Sequence, residues 1–255
     1  MSASTLTRIV RGEGPGLLLA HGAGGGALPN YGTVLDGLAR HHRVVAPDYP
    51  GSGSTPRATA PLSLDALADE LVATAVEEGL ERFAMAGYSL GVPTAIRAAV
   101  RHPDRVTALV LTAGFARLNP RMLLALRVWR DLLGDPDRLA AFMALIAVGA
   151  PTLDAMGQDE LDRALAESAA GVPPGTADHI DLAEGIDVRA DLTRIEVPTL
   201  VVSTVYDVLA TPAHHREVAA GIPGARLAEL PTGHLPFAEA PAEWLALMRD
   251  FLAAL

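Results

Sequence analysis

Ser89 is the residue from which chemistry can be argued most directly. It stands in Gly87-Tyr88-Ser89-Leu90-Gly91, a G-x-S-x-G pentapeptide. The apolar run FAMA precedes it as a strand pattern, and Leu90–Arg101 follows as a helix pattern. A chain turning so abruptly from strand to helix holds its central serine in a strained conformation. A Cβ at either flanking glycine would collide as the two elements approach. The strain lifts Oγ above the sheet edge, beside a helix N-terminus that favours developing negative charge. A serine hydroxyl still needs a base, and the base needs an orienting acid. Asp207 follows the run TLVVS and His234 follows ARLAEL, giving the chain order Ser, Asp, His. Both lie just beyond the C-terminal ends of predicted strands, where sites in open α/β sheets form. Asp207 would hold the His234 tautomer, and His234 would take and return the proton of Ser89. The chemistry implied is attack on a carbonyl carbon.

A second stretch is ambiguous. Leu17 to Asn30 reads LLLAHGAGGGALPN, and Gly22 to Ala27 fits the G-x-G-x-x-[G/A] pattern of a dinucleotide loop. Asp48 even follows at a distance suited to a ribose contact, although its neighbours Gly51-Ser52-Gly53-Ser54 read better as a turn. A phosphate cradle needs the helix to begin inside the glycine cluster. Pro29 disfavours helical geometry at Leu28, so a helix start at or after Pro29 is expected. That spacing suits a turn offering backbone N–H groups better than it suits a pyrophosphate.

The elements that must position these groups follow an alternating order. Strands are expected at Leu6–Arg11, Leu17–Ala20, Val44–Pro47, Phe83–Ala86, Val106–Leu111, Thr199–Ser203 and Ala225–Glu229. They are mostly continuous apolar runs, as strands buried on both faces should be. Helices are expected at Tyr31–His41, Leu64–Gly79, Leu90–Arg101, Pro212–Gly221 and Ala242–Ala254. The fold class is therefore α/β, a mostly parallel twisted sheet flanked by helices. Residues 116–193 break the rhythm with helical patterns alone, MLLALRVWRDLL, RLAAFMALIAV and ELDRALAESAA. The division expected is a core of 1–115 and 194–255 with 116–193 as a helical cap or lid insertion.

Composition narrows the possibilities. The chain has 255 residues, half of them hydrophobic, and a formal net charge of −10. Acidic residues spread along such a chain argue against nucleic acid as the main partner. The absence of cysteine excludes thiolate catalysis, disulfides and Cys-based metal sites. The 20 basic residues are all Arg, a bias of the kind GC-rich bacterial genomes produce. No apolar run is long enough to span a bilayer and no secretory signal begins the chain, so a cytoplasmic monomer or homodimer is expected. His214 and His215 open a helix and read as surface residues. Without a Glu-x-x-His pattern nearby, no metal site is expected there. His41, His42 and His102 read as helix-end residues.

The set HGAGGG, DYPGSGS, GYSLG, the post-strand Asp207 and TGHLPFAEAP resembles α/β-hydrolase-fold enzymes, from Leu17 to the C-terminus. The resemblance implies a nucleophile elbow at Ser89 and an oxyanion hole of the Ala23 and Leu90 N–H groups. Some relatives place the acid after the strand that follows the nucleophile helix. Leu111-Thr112-Ala113-Gly114-Phe115 has no carboxylate there, which leaves Asp207. Serine at the elbow disfavours the dehalogenase and epoxide-hydrolase branches. Val92-Pro93 stands where many relatives have another glycine, and a single strand precedes Leu17 where a pair is common. Candidate substrate contacts are Gly22, Gly24, Tyr88, Val208 and Leu235, with Trp129 and Met143 on the insertion, where helix packing is an equal explanation. The expected substrate is a small-to-medium, partly apolar ester, lactone or thioester, and no cofactor is implied. Acyl transfer, C–C bond hydrolysis, elimination or cyclisation could use the same residues, and a non-catalytic ligand-binding role on this fold is a further alternative.

Overall fold

The computed structural model describes residues 4–255, so the first three residues of the expected core lie outside it. The chain begins with β1 (Arg8–Arg11), β2 (Gly16–Ala20), α1 (Ala27–Ala39), β3 (Arg43–Pro47) and α2 (Leu64–Glu77). Next come β4 (Phe83–Tyr88), α3 (Gly91–Arg101) and β5 (Val106–Thr112). Six helices follow: α4 (Pro120–Asp131), α5 (Pro136–Ala147), α6 (Ala150–Ala155), α7 (Gln158–Ala170), α8 (Thr176–Glu184) and α9 (Arg189–Leu192). The alternation resumes with β6 (Thr199–Thr204), α10 (Pro212–Gly221) and β7 (Arg226–Leu230), then ends with α11 (Pro236–Glu239) and α12 (Pro241–Leu252). The strands form one seven-stranded sheet in the order β1-β3-β2-β4-β5-β6-β7. Neighbours pair in parallel throughout except β1, which runs antiparallel to β3 at the edge.

Side-chain alternation divides each central strand between two cores. Leu17 and Leu19 of β2 pack with Tyr31 and Leu35 of α1 and Trp244 and Met248 of α12. Leu18 and Ala20 face the other way, among Leu71 of α2 and Ile96 of α3. Each fully buried leucine contributes about 2 kcal/mol of hydrophobic stabilisation before the entropy of ordering is set against it. Covering both faces explains why the central strands read as apolar runs. The parallel pairing of β2 to β7 sets the C-terminal ends of those six strands along one rim, where the candidate residues stand.

One helix boundary departs from the sequence expectation. α1 begins at Ala27, two residues before Pro29. Pro29 occupies the first turn, where its missing N–H removes no helical hydrogen bond. The start is capped from outside the helix: Asp48 Oδ1 accepts from Ala27 N at 2.7 Å. A remote carboxylate therefore outweighs the local preference at Leu28.

Five of the helices between β5 and β6, α4 to α8, form an insertion whose two ends meet, and α9 follows its exit. Arg117 and Asp187 pair as an antiparallel bridge, and Val188 N donates to Ala116 O at 2.9 Å. Asn119 and Asp135 cap α4 and α5, each with proline in the first turn. By contrast α6 and α7 contain no buried residue. Among the described residues no helix is long and apolar enough to cross a membrane.

Candidate active site

β4 ends at Tyr88 and α3 begins at Gly91, leaving Ser89 at the turn with φ of 53°. This left-handed conformation is strained for a residue with a Cβ. The elbow is held because Ser89 N donates to Thr112 O at 3.0 Å and Ser89 O accepts from Val92 N at 3.0 Å. A Cβ on Gly87 would strike the Gly91 carbonyl, and one on Gly91 would strike the Ala20 carbonyl. Val92 is buried against Gly114, which has no room for a Cβ, and does not line the cavity.

The loops after β6 and β7 are fastened to each other. Val205 N donates to Leu230 O at 3.0 Å and Tyr206 N to Thr232 O at 2.9 Å. Asp207 and His234 are thereby brought together, with His234 Nδ1 2.6 Å from Asp207 Oδ2. His234 Nε2 lies 2.9 Å from Ser89 Oγ. Asp207 is buried and fully partnered. Its Oδ1 accepts from Leu209 N at 2.9 Å and Ala210 N at 3.0 Å, and its Oδ2 also accepts from Thr204 Oγ1 at 3.0 Å. These donors, with His234, occupy both oxygens of the buried carboxylate. Acting only as acceptor, it requires the proton on His234 Nδ1 and leaves Nε2 free to accept from serine. Tyr88 OH donates to His234 O at 2.9 Å, and His234 N donates to Ala147 O at 2.6 Å. Burial first, then the nearby Asp207 and Glu239 charges, push the Tyr88 phenol well up, so it stays a neutral donor.

The glycine loop is committed from several directions. Gly22 N donates to Asn30 Oδ1 at 3.0 Å, Gly24 N to His179 Nδ1 at 3.2 Å and Gly25 N to Gly22 O at 3.3 Å. His21 Nδ1–H donates to Gly22 O at 2.8 Å while its Nε2 accepts from Tyr49 N at 2.9 Å. Burial pushes His21 down to about 3, so it remains neutral. The Ala23 and Leu90 N–H groups donate to no other described residue. Asp48, on the first N–H of α1, puts negative charge where a pyrophosphate would have to sit. The dinucleotide reading of this loop is thus opposed by its own hydrogen bonds.

A cavity of about 460 Å³ opens over Ser89. Ala23, Gly24, Tyr88, Ser89, His234 and Leu235 form its floor, and Trp129, Leu139, Met143 and Leu165 come from the insertion. Gly22 and Val208 lie outside the wall, and Leu209 lines it instead of its neighbour. A Cβ on Gly24 would strike the Trp129 indole, which accounts for glycine there. Among the described residues, Glu167 is the one carboxylate on the wall and no arginine reaches it.

His214 and His215 are buried, contrary to the surface position expected for them. α10 packs under the Asp207 loop, so His215 Nδ1 lies 3.1 Å from Ser203 Oγ and its Nε2 4.0 Å from Asp207. Desolvation pushes His215 down to about 4, partly opposed by Asp207. No group of three or more potential metal ligands occurs among the described residues. Sequence reasoning also passed over His179 and Glu239. Glu239 Oε2 accepts from Gly233 N at 3.0 Å, Gly149 N at 3.1 Å and Thr152 Oγ1 at 2.9 Å, tying the insertion to the His234 loop. Its only cue was its place in TGHLPFAEAP; His179 had none, since its partners are distant in sequence.

Comparison with known proteins agrees with this geometry. The profile of the alpha/beta hydrolase fold matches residues 15–148. The chain belongs to the α/β-hydrolase-fold family. Within it, the chain is similar to pyrrolizixenacetamide deacetylase of Xenorhabdus hominickii, 32% identical over 95% of this chain and 92% of that one. It also resembles pimeloyl-[acyl-carrier protein] methyl ester esterase of Neisseria meningitidis, 32% identical over 82% of each chain. Among solved structures, the enol-lactonase of Burkholderia xenovorans LB400 superposes with a TM-score of 0.86 at 26% identity, covering 97% of this chain and 96% of that one. As an α/β-hydrolase-fold protein it carries Ser89 at the elbow position and the helical insertion over the strand ends.

Proposed function

We propose that the protein is a serine hydrolase cleaving an ester, lactone or thioester of a small-to-medium, partly apolar substrate through an acyl-enzyme at Ser89. One observation carries the reading. His234 bridges Ser89 Oγ at 2.9 Å and Asp207 Oδ2 at 2.6 Å on the floor of an apolar cavity. Ser89 Oγ attacks the carbonyl carbon as its proton passes to His234 Nε2. The oxyanion is received by the Ala23 and Leu90 N–H groups, each donor of this kind being worth about 3 kcal/mol of barrier. His234 then protonates the leaving group, and water attacks the acyl-enzyme with His234 as base. The relatives support carbonyl chemistry, since they include a deacetylase, a methyl ester esterase and an enol-lactonase.

The wall also bears on the substrate. With no arginine to pair it, a carboxylate carried into this cavity would be desolvated unpaired and repelled by Glu167. Neutral acyl groups are therefore favoured. The test is labelling by a fluorophosphonate, followed by hydrolysis of p-nitrophenyl hexanoate and of its analogue with a terminal carboxylate. A single adduct lost in Ser89→Ala, and a preference for the neutral ester of about tenfold or more, are expected. Folded wild-type protein that takes no label would overturn the mechanism.

A further inference from the structure

The oxyanion loop is held on one side by the core and on the other by the insertion. The Gly22 carbonyl accepts from His21 Nδ1 at 2.8 Å and from Gly25 N at 3.3 Å. In a trans peptide the N–H points opposite to the carbonyl, so these bonds also aim the Ala23 N–H. The following peptide is held differently: its Gly24 N–H donates to Nδ1 of His179, a residue of α8 in the insertion, at 3.2 Å. Gly24 N can only donate, so Nδ1 accepts and the ring proton resides on Nε2, which donates to Pro50 O at 3.0 Å. Ala23 thus lies between two fixed peptides, one anchored by His21 and one by His179.

The setting of His179 is that of a built contact. The residue is fully buried and meets the rings of His21 and Tyr49 edge-on, with centroids 6.1 and 5.9 Å away. α8 is seated by Arg57, whose Nε and Nη2 contact Asp178 at 2.9 and 2.8 Å. Gly175 N donates to Gly51 O at 3.0 Å, at an approach too close for a Cβ on Gly175. Desolvation holds His179 below its ordinary value, opposed by its bond to Pro50 and by Asp178, which keeps Nδ1 an acceptor.

We infer that His179 is a positioning residue: by accepting from Gly24 N–H it fixes the backbone at Ala23, so that a side chain of the insertion completes the oxyanion hole of the core. The inference rests on the reading of Ala23 N–H as an oxyanion donor. The insertion then shapes the transition state as well as covering the substrate.

Two substitutions separate the atoms of the ring. His179→Asn places a carboxamide oxygen near the position of Nδ1 and gives up the bond to Pro50. His179→Gln reaches Pro50 and leaves Gly24 N–H without its acceptor. The readouts are kcat and KM on p-nitrophenyl hexanoate, the rate of fluorophosphonate labelling, and thermal midpoint. His179→Gln should lose about tenfold to a hundredfold in kcat and labelling rate, with KM within about twofold. His179→Asn should stay within about threefold of wild type in kcat. Wild-type activity in His179→Gln would overturn the inference, because Gly24 would then need no acceptor. Equal loss in both variants, including failure of both to fold, would assign the ring to packing and overturn it as well. Wild-type protein that takes no fluorophosphonate would instead remove the enzymatic reading itself, and this inference with it.

Discussion

Asp207 shows how much depends on which atoms of a residue are donors. As a carboxylate it accepts from Leu209 N, Ala210 N, Thr204 Oγ1 and His234 Nδ1 and has nothing to donate. Asp207→Asn keeps the shape but turns an amide donor toward His234. The imidazole then carries its proton on Nε2 and cannot accept from Ser89. We expect kcat to fall about a thousandfold to ten-thousandfold with the fold intact, measured on p-nitrophenyl hexanoate alongside circular dichroism. The three residues were legible in the sequence because each follows a strand directly, so that a local pattern places it. His179 and His21 were not assigned their positioning roles, for a physical reason. Their function is to accept from or donate to backbone atoms, and a backbone partner leaves no trace in residue type. The burial of His214 and His215 was missed likewise, because the packing of α10 beneath the Asp207 loop is a tertiary fact.

Elements differ in how firmly they are held. α3 is set into the sheet through Val92, Ala95, Ile96 and Ala99, and α12 through Trp244, Met248 and Phe251. α7 has no buried residue, so it opens at the lowest cost of the long helices. With arginine the only basic residue type, trypsin has few choices in this segment. Brief digestion should cut first after Arg163, giving fragments 1–163 and 164–255 on a mass spectrum. A first cut within α3 or α12, at Arg97 or Arg249, would contradict this ordering. The number of strands and their places along the chain followed from their apolar runs, since burial on both faces of the central ones leaves a signal in composition, whereas their order in the sheet did not. The start of α1 did not, because Asp48 caps it from another element.

The whole molecule carries histidines that must stay neutral. His21 is pushed down to about 3 and His215 to about 4, against an ordinary value near 6.5 in the unfolded chain. Above pH 6.5 both states hold these rings neutral and the stability is undiminished. As pH falls below that, the unfolded chain takes up protons that the folded protein refuses until about pH 4 and then 3. Stability should therefore decline by about 1.4 kcal/mol per histidine for each pH unit across that window. Urea midpoints between pH 7 and 5 measure it, above the range where carboxylates titrate. His215→Leu should flatten the slope, and a slope unchanged by that substitution would exclude its contribution.

The bridge between Arg117 and Asp187 has a consequence for redesign. Because the insertion leaves and re-enters the sheet through one paired neck, residues 118–186 constitute a cassette whose ends already meet. A different helical segment could be spliced there to reshape the cavity without disturbing strand order. His179 sets the condition for such a graft: the incoming segment must bring an acceptor for Gly24, or the recipient will bind its new substrate and turn it over slowly.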